Sequence, residues 1–373
     1  MIVAFIPPGD ARWLDVLERT PHDVYHLPHY ARFAARHEGG TPCAFYARSH
    51  RRALLIPLLV RPLPADIGAP PGWSDAASPY GYPGPIATHP LDRAWIQQSL
   101  KAFHQLARAH RILTAFLRLH PLRGIPHETI AACASTVHHG DVVYVDLTRT
   151  DEQIWADTCT NHRRNIKRIL EAGFSESIDD WSAYPSFPPL YRTTMDRVNA
   201  SRFYFFSDAY FRDLREMFPG QLHLSTIRAP HGAIAAAGLF THTNGIVEYH
   251  LSGTAAEFRQ HAPSKLMLDA VRRWAARIGA AVMNFGGGTG GQGNSLFEFK
   301  SGFSRSRAPF HTARLIFDAA LYAAVTRTSA DRGATLVSDA GFFPVYRKPL
   351  AAQGQHVGVA PLTAAAVSPA ART

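Results

Sequence analysis

Cysteine is scarce in this chain, with three residues, Cys43, Cys133 and Cys159, among 373. They are odd in number, widely spaced and form no C-x-x-C pair. That pattern indicates neither a disulfide framework nor a zinc site, and buried small hydrophobes are the plainer account of them. Long apolar runs are also missing. No stretch approaches the roughly 18 apolar residues of a membrane span, and the opening MIVAFIPPGD has neither a basic region nor an adequate hydrophobic segment for a signal peptide. A cytoplasmic protein without integral membrane association is therefore expected. Acid is in deficit, with 29 Asp and Glu against 39 Lys and Arg and a net charge of +10. Such a field favours an anionic partner without naming it. No helix-turn-helix, zinc-finger or RRM-type aromatic signature is present, so DNA reading is not expected. What is there suffices for two ordinary cores: 46% of residues are hydrophobic and 18% charged, and domains usually run to about 100 to 200 residues.

The strongest patterning lies between residues 222 and 303. Met267, Ala270, Val271, Trp274, Ala275 and Ile278 fall at helical spacing, with Pro263 near the start and Gly279 after the end. Upstream, Val247, Tyr249 and Leu251 alternate with Glu248, His250 and Ser252, and Asn244-Gly245 supplies a hairpin turn from the apolar run 233–240. A run at 222–227 precedes it. Three antiparallel strands thus lead into a helix whose free amino end faces the loop 254–262, and a fourth strand, 282–285, follows. A helix amino terminus is a natural seat for phosphate or a polarised carbonyl. The first half repeats this order without repeating the residues: a helical stretch at 30–36, strands at 43–47 and 53–60, a loop with Tyr80 and Tyr82, a helix near 91–109 and a strand at 113–119. A strand at 142–147 closes the first unit, the boundary falls at 148–151, and a further strand is read at 313–317. Residues 351–373, rich in Ala, Pro, Ser and Thr without an apolar period, read as a disordered tail.

The words YHLSGT, PSKLMLDAVRRWA, NFGGG and FEFKSGF, supported by NHRRNIKRILEAG and SPYGYPGP, resemble the GNAT acyltransferase superfamily. Within it they resemble the FemABX peptidyltransferases and the related BioF2-like acetyltransferase branch. The resemblance covers roughly residues 20 to 345. It implies an α/β (α+β) protein of tandem GNAT-like domains, each a mixed, mostly antiparallel sheet flanked by helices. The expected division is 1–150, completed by 311–350, and 151–310, with an active cleft between or beside the two.

Gly286, Gly288 and Gly291 formally satisfy G-x-G-x-x-G, but no long helix opens behind them and no acidic residue follows about 20 positions on, so a dinucleotide site is rejected. Gly286, Gly287 and Gly288 let backbone approach a donor, or form a plain surface loop. Ser295-x-x-Glu298 reads as a capping box that positions Phe299 and Lys300. The resemblance implies a functional Phe-Lys pair there. Chemically, a preorganised cation lowers the barrier to a tetrahedral oxyanion; a surface lysine between core phenylalanines is the alternative. Glu248 and His250 are candidate general bases. Tyr80, Tyr82 and Arg202 are candidate acceptor contacts, although packing explains the tyrosines as well.

The donor is the open question. Acetyl-CoA-using members of the superfamily carry [QR]-x-x-G-x-[GA] before the central helix, whereas this chain reads Arg259-Gln260-His261-Ala262-Pro263-Ser264. Pro263 removes one N–H donor. Arg259, Ser264 and Lys265 remain donor-binding candidates, and the departure favours aminoacyl-tRNA over acyl-CoA as co-substrate, with no tightly bound cofactor and no metal. A small-molecule or glycan amine is the expected acceptor. The lysine that related enzymes place on a first-domain helix for a nucleotide-sugar is absent, the nearest basic residues being Arg32 and Arg36. The cations Arg163, Arg164, Lys167 and Arg168 are either a solvated helix face or phosphate contacts. The expected function is N-acyl transfer forming an amide. Acyl-CoA-dependent N-acetyl transfer is the alternative, and a non-catalytic binder of nucleotide-sugar or RNA is the reading from another class.

Overall fold

A computed structural model of the chain describes residues 1–288, 294–331 and 342–348. Gly291 and the expected tail at 351–373 lie outside the described residues. In chain order the first elements are β1 (Ile2–Ile6), α1 (Ala11–Glu18), α2 (Pro28–Glu38), β2 (Thr41–Ser49), β3 (Arg52–Pro62), β4 (Ser74–Ala77), β5 (Ile86–Ala87), α3 (Arg93–Ala109), β6 (Ile112–Arg118) and α4 (His127–Ala131). β7 (Ser135–Asp146) leads to α5 (Asp151–Asp157), α6 (Thr160–Glu171), β8 (Ser175–Ile178), α7 (Phe187–Arg197), α8 (Asp208–Met217) and β9 (Leu222–Arg228). β10 (Ile234–Thr243), β11 (Ile246–Thr254), α9 (Pro263–Arg277), β12 (Val282–Gly286), α10 (Ser295–Ser301), β13 (Arg307–Ile316) and α11 (Ala319–Asp331) complete the series.

Two units divide the chain: residues 1–139 with the described residues from 310 onward, and residues 140–309. The division falls inside β7, a few residues before the 148–151 boundary read from the sequence. In the first unit the strand order is β1-β2-β3-β4-β6-β13, with β5 on β3. Every pairing is antiparallel except β4 with β6, which the helix α3 connects. In the second unit the order is β7-β12-β11-β10-β9-β8, again antiparallel but for β11 with β12, connected through α9. Each unit is thus a mixed, mostly antiparallel sheet with helices on it and one helical crossover between parallel strands. The returning segment is anchored in the first unit by Asp75, which is fully buried and accepts from Tyr346 Oη at 3.2 Å and from Arg347.

The crossover helix α9 explains the second unit's core. Leu266, Met267, Leu268, Val271 and Ala275 are buried and join Val143, Val145, Ile166, Phe240, Val247 and Phe285 in one apolar cluster. Burying each large aliphatic side chain stabilises the unit by about 1.5 to 3 kcal/mol. Pro263 sits in the first turn, where its missing N–H is not needed by the helix, and Gly279, at φ +77°, stops it just past the C-cap. One expectation changes here. Ile278 is the C-cap residue and 41% exposed, so the apolar stripe ends at Ala275. β11 is buried along its whole length, because both α9 and α7 pack on it, and its polar positions look into protein.

Candidate active site

β11 and β12 run parallel in register only through Glu248 and Asn284; beyond that pair the strands are no longer hydrogen-bonded to each other. Ligands of open α/β sheets favour the carboxyl ends of parallel strands, where neighbours part. Here that place is furnished by polar side chains. Asn284, fully buried, donates from Nδ2 to both carboxylate oxygens of Glu248 at 3.0 and 3.1 Å, and its Oδ1 accepts from the Gly286 backbone N–H at 2.9 Å. From α10, Lys300 Nζ donates to the Gly287 carbonyl at 2.7 Å. Lys300 is fully buried, 6.0 Å from the centre of the Tyr249 ring, and faces the charge of Glu248. Burial pulls its ammonium down from 10.5 to about 7, against the opposing pull of Glu248.

The helix carrying Lys300 starts differently from the expectation. Its N-cap is Asn294, whose Oδ1 accepts from the Phe297 N–H at 3.1 Å, not Ser295 of a capping box. An asparagine cap outranks nothing here by much, since Asn and Ser are about equally good caps; one residue's shift in helix start decides between them. Phe299, expected beside Lys300 in function, is buried against Phe303 and His162, with ring centres at 5.6 and 5.5 Å.

The two base candidates have different partners. Glu248 is tied to Asn284 on β12, whereas His250 Nε2 lies 3.1 Å from the Tyr210 hydroxyl on α8. A register shift against the Leu239–Phe240 step of β10 makes His250 the extra residue of a β-bulge, which breaks the two-residue alternation that had set both side chains on one face. Burial holds His250 down at about 4, so it is neutral at pH 7.

The donor-side candidates do not converge. Ser264 is buried with its Oγ 2.7 Å from Thr254 Oγ1, tying the start of α9 to the end of β11. Lys265 Nζ donates to Asn161 Oδ1 of α6 at 2.6 Å, and burial lowers it to about 8. Arg259 is exposed on a 3-10 turn. Gly286, Gly287 and Gly288 are buried, so the first glycines form no loose surface loop. Of the acceptor candidates, Tyr82 belongs to the first unit and is buried among the rings of Tyr25, His120 and Phe310. Tyr80 is half-buried there, its backbone N–H donating to Glu38 and its carbonyl accepting from the Tyr30 hydroxyl. Arg202 is exposed in the second unit.

Asn284, Tyr210 and Ser252, which pairs with the Tyr249 hydroxyl, were not singled out from the sequence. Asn284 was findable, since an asparagine inside the apolar strand VMNFG needs a buried partner. Among the described residues, no helix is long and apolar enough to cross a membrane.

Comparison with known proteins adds a domain match and likenesses of fold. Residues 156–301, from α5 through α10, match the family model described as Acetyltransferase (GNAT) domain. Comparison of the sequence with curated proteins finds no match. Among solved structures the chain is similar to FemX, at TM-score 0.68 and 12% identity, over 87% of this chain and 99% of that one. It is also similar to the C-terminal domain (DUF2156) of a putative lysylphosphatidylglycerol synthetase from Agrobacterium fabrum, at TM-score 0.53 and 15% identity, covering 86% and 95% of the two chains. The structure of L-PGS from Bacillus licheniformis matches at TM-score 0.52 and 11% identity, over 87% and 97%. At these identities the likenesses are of fold. The matched domain encloses Glu248, Asn284 and Lys300: the protein is an acyltransferase whose second unit matches the GNAT domain model and whose fold resembles that of FemX.

Proposed function

We propose that the second unit transfers an aminoacyl or acyl group to an amine, forming an amide, with Lys300 as the cation that stabilises the reacting carbonyl. The observation that carries this is the buried ammonium at the carboxyl end of β12, held by the Gly287 carbonyl and facing Glu248. The amine nitrogen attacks the carbonyl carbon, whose π electrons move to oxygen, and the ammonium offsets that charge in a water-poor setting where it counts for more than in solvent. Collapse re-forms the C=O bond and expels the alkoxide or thiolate of the donor. Glu248, the carboxylate facing Lys300, takes the proton lost by the attacking amine; His250, neutral beside Tyr210, is the second candidate.

An aminoacyl ester carried on RNA is the donor we assign. The residues before α9 lack the glycines that would present successive N–H groups to a pyrophosphate, and Pro263 lacks one outright. The name lysylphosphatidylglycerol synthetase, attached to a protein of this fold, supports an aminoacyl group as the group transferred. Acyl-CoA is the second reading, favoured by the match to an acetyltransferase domain. The acceptor is a small or glycan amine in the cytoplasm, and Arg202, exposed in the second unit, is the side chain we assign to contact it. Incubation with charged tRNA or with acetyl-CoA, plus a panel of amines, and mass spectrometry of the products tests this. Amide formed from the tRNA ester supports the assignment; amide formed from acetyl-CoA alone replaces it with the second reading.

A further inference from the structure

A basic groove on α6 has no part in the site above. It has a volume of about 570 Å³ and is lined by Trp155 of α5 and by Arg163, Arg164, Lys167 and Arg168 of α6. The four cations stand at i, i+1, i+4 and i+5, two pairs one helical turn, about 6 Å, apart along the axis. Among the described residues, none of these four side chains has a hydrogen-bond or ion-pair partner. Three other arginines of the same unit, Arg149, Arg228 and Arg273, each reach a carboxylate within 3.0 Å. A single acid, Glu171, borders the groove at the far end of the helix.

The placement works against the helix itself. The first turn of α6 contains no acidic residue and its N-cap, Cys159, makes no side-chain hydrogen bond. Arg163 and Arg164 therefore add positive charge near the positive end of the helix dipole, where anions are favoured and cations are not. A local rule broken without internal compensation points to a ligand that supplies the missing charge. The opposite face of α6 is spent on packing, with His162, Ile166 and Ile169 buried, and Leu170 is the one large apolar side chain the helix leaves exposed, too little to enter a lipid layer. A concave groove with paired guanidinium groups and an indole suits a flexible phosphate chain bearing stackable rings.

We infer that this groove docks a single-stranded RNA segment, its phosphates on Arg163, Arg164, Lys167 and Arg168 and a base on Trp155. The inference deepens the proposed function and rests on it for its purpose, since an RNA-borne donor needs a dock away from the reacting carbonyl. Binding is read without turnover, so the two fail separately.

The test is fluorescence anisotropy of a labelled single-stranded oligoribonucleotide of ~12 nucleotides with the full chain over a salt series. Four phosphate contacts predict a slope of log affinity on log salt of about −3, at ~0.7 per contact. The fourfold variant R163Q/R164Q/K167Q/R168Q should bind at least ~10-fold more weakly with a slope near zero. Each single glutamine variant, safer for folding, should lower the slope by about 0.7. Trp155→Leu should weaken binding without changing the slope. RNA affinity and slope unchanged in the glutamine variants would overturn the inference. So would binding of vesicles of phosphatidylglycerol and phosphatidylcholine through these residues with no binding of the oligonucleotide.

Discussion

Replacing Lys300 by methionine should separate the stability of the second unit from its chemistry. In the folded chain the ammonium titrates at about 7, against 10.5 in water. At pH 6 both folded and unfolded states carry the proton, and the folded state bears the whole cost of holding it in a buried place. Between pH 7 and 10.5 the unfolded chain keeps a proton that the folded one has released, so stability rises with pH at about 1.4 kcal/mol per unit. From pH 6 to pH 9 the wild type should therefore gain about 2 to 3 kcal/mol on the Lys300→Met variant, in which this group does not titrate. All other titrating groups are common to the two proteins and cancel in the difference. The assay is urea unfolding of both proteins at pH 6, 7.5 and 9. At pH 6 the variant should equal or exceed the wild type, since the lost hydrogen bond to the Gly287 carbonyl, about 1.5 to 3 kcal/mol for a charged donor, is smaller than the relieved desolvation. Unfolding curves whose difference does not change with pH would refute the burial argument and leave Lys300 an ordinary solvated lysine.

Two further outcomes follow from buried groups. His162 is held down at about 3 and His250 at about 4, both chiefly by burial; the unfolded chain takes up protons below 6.5 that the folded one refuses, so stability is lost on acidification. At pH 5 each should have removed about 2 kcal/mol relative to pH 8, and urea midpoints that stay level from pH 8 to pH 5 would contradict this. Gly302 has no room for a side chain, because a Cβ there would stand 2.2 Å from His162 Cε1. Gly302→Ala should cost about 1 to 3 kcal/mol through overpacking, seen as a lowered thermal midpoint, and a midpoint matching the wild type would show that His162 moves aside freely.

The sequence disclosed the second unit better than the first because its signals there were long and periodic. Strands β9 to β12 and the helix between the last two stand where alternation and helical spacing placed them, since each buries a full face in one core. β1, α1 and the short strands β4 and β5 were not read, being brief runs whose partners are distant in sequence: β1 pairs with β2 some forty residues on. The flanking phenylalanines left Lys300 readable either as a buried cation or as a surface lysine, and its partners were not legible at all. The Gly287 carbonyl and Glu248 come to it through the parting of two strands and a bulge at His250, which are three-dimensional events that residue spacing does not encode. The burial of β11 on both faces has the same origin: nothing in the strand announces that α7 will cover its other side.

The account turns on a cation at position 300 acting on a carbonyl under attack, and the pH dependence of transfer in wild type and Lys300→Arg tests that most directly. If the ammonium is the active form, wild-type kcat/KM should fall as pH rises through about 7, and Lys300→Arg, which stays charged, should lose that descending limb. Lys300→Met should transfer about 10²- to 10³-fold more slowly at every pH. A wild-type profile that only rises through pH 7, with full activity in Lys300→Met, would contradict the claim.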